Sequence, residues 1–83
     1  MTDYTLTGEH HYVAGEPYWR FSINFEWNLD QHVMDEYLDR MEIWACEVGL
    51  NSQNFTCHRY RHLAIVTISD DKLAMLFKLK FTL

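Results

Sequence analysis

Tyr18-Trp19-Arg20-Phe21-Ser22-Ile23-Asn24-Phe25-Glu26-Trp27 is the stretch whose reading decides the fold. Trp19, Phe21, Ile23, Phe25 and Trp27 fall on one parity, and Tyr18, Arg20, Ser22, Asn24 and Glu26 on the other. A two-residue period marks a strand with one face on a core and one nearer water. Each large side chain on the inner parity contributes about 1.5–3 kcal/mol when buried, so this strand is expected to floor the core.

The period then lengthens. Leu29, Val33, Met34, Tyr37, Leu38, Met41, Trp44, Ala45 and Val48 recur at helical spacing, with Asp and Glu between them. The helix is expected from about Asp30 to Val48, capped by a side-chain oxygen of Asn28 or Asp30 and closed by Gly49.

Working outward, Tyr4, Leu6, Tyr12 and Val13 suggest a first strand with a break at Gly8. Ala14-Gly15-Glu16-Pro17 reads as a turn, because Gly permits positive φ and Pro lacks an amide. A hairpin to the central strand follows. Beyond Gly49, a polar Asn51–Asn54 loop precedes strands at Phe55–Tyr60 and Leu63–Ser69, or a single bent strand. Leu63–Ile68 is apolar on both parities, as in an interior strand covered on both faces. Ser69-Asp70-Asp71 starts a second helix, and Leu79–Leu83 either ends it or forms a short strand.

These elements predict one α+β domain over residues 1–83, in the order ββαββα. The expected sheet is ferredoxin-like, of about four strands with both helices on one face. Right-handed crossover through the first helix places the central strand beside Leu63–Ser69 and parallel to it. The opposite sheet face would then carry Tyr18, Arg20, Ser22, Asn24 and Glu26, with either Thr56, His58 and Tyr60 or Phe55, Cys57 and Arg59 of the later strand beside them. An open face of this kind usually meets another chain.

Composition narrows the function. Eighty-three residues suffice for one core, and 48% apolar residues exclude a disordered chain. No apolar run approaches the roughly 20 residues needed to cross a bilayer, and no secretory leader pattern opens the chain. A cytoplasmic protein is expected, with Cys46 and Cys57 reduced and packed as small hydrophobes. The net charge is −5, all of it within residues 30–50. Such a chain is poorly suited to phosphate backbones.

Catalytic and metal readings find little support in the residues. His10, His11, Cys57, His58 and His62 are ligand types, but their spacing fits no closed zinc site. His58 and His62 would share a strand face about 13 Å apart. Cys57 and His58, as strand neighbours, point to opposite faces, which argues against a nucleophile and base. There is no Gly-rich phosphate loop. No enzyme activity and no cofactor are expected.

Two surfaces remain. One is the open sheet face, expected to form a homodimer. The other is the row Asp35, Asp39 and Glu42 along one side of the helix, suited to a basic protein. The alternative use of the sheet is single-stranded nucleic-acid binding by Tyr18, Arg20, Arg59 and Tyr60.

Ser69-Asp70-Asp71-Lys72-Leu73-Ala74-Met75-Leu76-Phe77-Lys78-Leu79-Lys80-Phe81 resembles the closing segment of small uncharacterised phage-encoded proteins. The resemblance covers 13 of 83 residues and lacks a Gly that often ends the motif. It implies a viral α+β protein in the host cytoplasm, modulating a host protein, with no catalytic residues to carry over.

Overall fold

A computed structural model describes residues 3–82. In chain order the elements are β1 (Tyr4–Val13), β2 (Glu16–Phe25), α1 (Gln31–Glu47), β3 (Phe55–Arg59), β4 (Leu63–Ile68) and α2 (Asp71–Phe81). The four strands form one sheet in the order β1-β2-β4-β3, every neighbouring pair antiparallel. Both helices pack on one face, giving the ββαββα ferredoxin-like arrangement, with β1 at the outer position beside β2.

One expected pairing is corrected. β2 does neighbour β4, but the two run antiparallel. The cause is the tight β3–β4 turn, where the Tyr60 amide donates to the Leu63 carbonyl (2.7 Å) and reverses the chain. The α1 crossover therefore delivers β3 parallel to β2, and β4 slots between them.

The inner parity of β2 behaves as its pattern requires only as far as Phe25. Phe21 and Ile23 are fully buried and Phe25 nearly so, while Trp19 is half-buried. Trp27 lies outside the strand, 81% exposed, in a turn where the Leu29 amide donates to the Glu26 carbonyl. β2 ends at Phe25, opposite Tyr4, and the Glu26 amide donates to the Asp3 carbonyl (2.9 Å) just before this turn.

Gly8 does not break β1, which pairs with β2 through ten consecutive positions. Its missing side chain makes room instead. A Cβ there would lie 2.8 Å from Cε1 of Phe21. The turn itself uses only Ala14 and Gly15, both at positive φ (52° and 79°), which matches the twist of the flanking strands. Pro17 sits inside β2 opposite Tyr12. By antiparallel alternation its nitrogen faces away from β1, and β4 pairing begins only at Trp19, so no ladder bond is lost.

Asp30 occupies the N-cap position of α1, yet its carboxylate makes no cap bond; its carbonyl accepts from Val33 and Met34. At the other end Gly49 (φ 90°) donates to Cys46 and Leu50 donates to Ala45 at 2.8 Å. That pair of bonds is a Schellman closure, with Leu50 and Ala45 both buried beside it. α2 has the more complete start, since Asp70 Oδ1 accepts from the Leu73 amide (2.9 Å). Asp71 in its first turn and Lys78 and Lys80 in its last suit the helix dipole. The helix continues to Phe81 rather than yielding to a strand; Leu83 lies outside the described residues. The Tyr4 hydroxyl donates to the Phe81 carbonyl, tying the start of β1 to the end of α2.

Gly8→Ala is expected to cost about 1–3 kcal/mol, because the fully buried Phe21 ring has nowhere to retreat. That exceeds the gain of up to about 1 kcal/mol from restricting the unfolded chain. Ala14→Asn should act oppositely, adding about 0.5–1 kcal/mol, because Asn tolerates the left-handed region better than Ala. Urea midpoints of the two variants check both signs.

Candidate functional site

Strand register assembles the open face row by row. Thr7, Ser22, Ile65 and His58 lie across the sheet in one row, and Glu9, Arg20, Thr67 and Thr56 in the next. Thr5, Asn24 and Leu63 form a third row, and His11 and Tyr18 a fourth. Tyr18, Arg20, Asn24 and His58 are thus brought onto one surface. Tyr60 follows the end of β3 at the turn, 59% exposed.

The character of this face is mixed. Ile65 and Leu63 are half-buried at its centre, between hydroxyl and amide side chains. The β4 strand is interior in the sheet, yet only Ala64, Val66 and Ile68 are covered by the helices. Its outer parity owes its partial burial to neighbouring strands. Tyr18 stacks on His11 (5.2 Å between centroids, 14° between planes), and His11 Nε2 lies 3.0 Å from Glu9 Oε2. Arg20 stands opposite Glu9, so the main cation of the face has a carboxylate beside it.

The acidic row lies on the other side of the sheet. Arg59 pairs in register with the buried Ala64, which turns its side chain toward the helices rather than the open face. Its Nη1 donates to Asp35 Oδ1 (3.2 Å) and its Nη2 to Asp39 Oδ1 (2.8 Å), and Nη2 stands 3.2 Å from Glu42 Oε1. Asp35, Asp39 and Glu42 therefore already hold a cation of their own chain. The hydrogen bond to Asp39 is the largest cause holding the guanidinium proton more tightly than usual, with Glu42 adding to it. This clamp joins α1 to the β3 edge. It also removes Arg59 from the set of residues a nucleic acid on the sheet could touch.

No single flat partner surface can cover both the row on α1 and the set Tyr18, Arg20, Asn24 and His58. Pairing with Arg59 was legible in principle. Strand parity with His58 outward sends Arg59 inward, toward a helix side bearing carboxylates at four- and three-residue steps.

The remaining candidates separate. His58 lies on β3, whereas His62 lies in the turn, where its carbonyl accepts from the Phe25 amide; they share no strand face. His10 sits on the helix side against Trp19, and both approach Asp71: Trp19 Nε1 donates to Oδ1 at 3.0 Å, and His10 Nε2 is 3.6 Å away. Cys57 faces the core opposite Val66, and burial pushes its thiol up, with Glu42 adding to the shift. Cys46 is exposed, contrary to the expectation of a packed hydrophobe, because the inward face of α1 runs through Met34, Leu38, Met41, Trp44 and Ala45. Among the described residues, no group of three or more His, Cys, Asp or Glu side chains is placed to hold a metal ion. No helix among them is long and apolar enough to cross a membrane.

Replacing Arg59 with Ala leaves three neighbouring carboxylates facing one another. Stability is expected to fall by about 1 kcal/mol, the scale of a partly exposed ion-pair network. The loss should shrink at high salt as the freed carboxylates are screened. Chemical denaturation with urea at two ionic strengths checks both.

Compared with protein-family models, curated proteins and solved structures, the chain matches none.

Proposed function

We propose that this chain is a small protein-binding domain without catalytic activity, and that it receives its partner on the open face of the sheet. The observation that carries this reading is the face itself. Among the described residues both helices pack on the opposite side, leaving Ile65 between Ser22 and His58, with Asn24 and Leu63 in the row on one side, Arg20 and Thr67 in the row on the other, and Tyr18 and His11 beyond Arg20. A small apolar centre within a polar, hydrogen-bonding rim is the composition of interfaces that form and dissociate. Permanent homodimer faces are more apolar. This composition favours a different protein over the permanent homodimer expected from the sequence. The resemblance of residues 69–81 to phage-encoded chains makes a host protein the natural one to test.

The acidic row on α1 has a lesser part in this reading. With Arg59 seated among them, Asp35, Asp39 and Glu42 present a smaller charge to a basic partner than three unpaired carboxylates would. The single-strand alternative draws support from the Tyr18–His11 ring stack, which offers a platform for a base. Against it stand the engagement of Arg59 and the position of Glu9 opposite Arg20.

Tyr18→Ala combined with Ile65→Lys is expected to lower capture of the partner by about tenfold or more, as for central interface residues. Asp39→Asn should leave capture nearly intact. Pull-down from host extract with quantitative mass spectrometry measures both, and far-UV circular dichroism confirms that each variant folds. The opposite pattern would move the site to α1. Salt-sensitive binding of a labelled oligothymidine would favour the single-strand reading.

A further inference from the structure

We propose that the outer side of the helical layer binds a second copy of this chain, α2 of one copy lying across α1 of the other. This surface is on the opposite side from the sheet face and does not depend on that reading. α2 turns Ala74, Phe77 and Phe81 into the core, leaving Met75, Leu76 and Leu79 in solvent, Leu79 at 79% exposure. All three lysines of the chain, Lys72, Lys78 and Lys80, flank that apolar stripe. α1 presents the complement. Ile43 is 58% exposed on its outer ridge, with Glu47 one helical turn beyond it and Asp39, partly neutralised by Arg59, one turn before it. Between the helices runs a groove of about 430 Å³ lined by Tyr37, Trp44 and Phe81, with Ile43, Glu47 and Arg40 (the last paired with Glu36) on the α1 bank and Lys80 on the other. An aliphatic side chain such as Leu79 of a second copy suits that floor.

Symmetry selects the arrangement. A twofold contact is isologous, so whatever α1 of one copy does to α2 of the other is repeated in reverse. With the axis running between the two helices, each acidic ridge meets a lysine-flanked stripe, twice per dimer. The alternative axis would set α1 on α1 and α2 on α2, bringing Asp39 and Glu47 against their own copies and lysines against lysines. An anionic lipid surface is a poorer occupant. The same layer that offers Lys78 and Lys80 would press α1 and its carboxylates toward the headgroups, and the chain carries −5 overall.

Sedimentation velocity over a concentration series, at low and high salt, reads the assembly. The expected result is a species of about twice 10.0 kDa that weakens as salt rises. Leu79→Asp should abolish it. Glu47→Lys alone, and Lys78→Glu with Lys80→Glu, should each weaken it by about tenfold or more through like-charge contacts. An equimolar mixture of those two charge variants should restore a heterodimer, because both contacts become attractive again. A merely destabilised protein would not recover on mixing. The proposal is overturned by a monomer at every concentration and salt, or by a dimer indifferent to Leu79→Asp. A dimer lost only on Ile65→Lys, or vesicles of anionic lipid bound in place of self-association, would equally overturn it.

Discussion

Phe77 is the side chain through which the layers of this molecule meet. It has no exposed surface, and its ring lies 4.9 Å from Phe21 of β2, 5.7 Å from Trp44 of α1 and 4.9 Å from Phe81 of its own helix. A domain of this size has one core, so a helix not seated on the sheet contributes little to stability. The Phe21–Phe77 contact seats α2, and Trp44 brings α1 against the same ring. Gly8 belongs to this contact too, since it allows the Phe21 ring to lie against β1.

Burial of that kind is one-sided, and the two helices are both spent on it. The reverse of the sheet is therefore left to polar side chains whose rows are set by register, with Ile65 and Leu63 as its apolar centre. Charge is divided in the same manner. α1 holds five of the twelve carboxylates and α2 every lysine, and Arg59 links part of the acidic side back to the sheet edge. Two different kinds of surface result: a polar one on the sheet and a charged, partly aliphatic one on the helices.

Local pattern carried the architecture well. The alternation from Trp19 to Phe25, the helical period from Val33 to Val48 and the Asp70 cap each express a preference that operates over a few residues. The same locality explains the misreadings. Trp27 continues the alternation but lies past the end of β2 at Phe25, in the turn toward α1, where a two-residue period no longer sets which way a side chain faces. Gly8 carries a loop-like propensity, overridden because a neighbouring strand needs the space above it.

Element order and the inward parity of β2 from Trp19 to Phe25 were determined by the sequence, because strand and helix periods are written in adjacent residues; the parity of β3, which turns Cys57 and Arg59 inward, was not. Strand directions, the Arg59 clamp and the separation of the acidic row from the sheet face were decided only by tertiary structure. Each depends on groups far apart in the chain, such as Arg59 and Asp39, meeting across a packed layer. No local period encodes such a meeting. It follows from the tight β3–β4 turn, which fixes the direction of β4, and from the single core, which places both helices on one side.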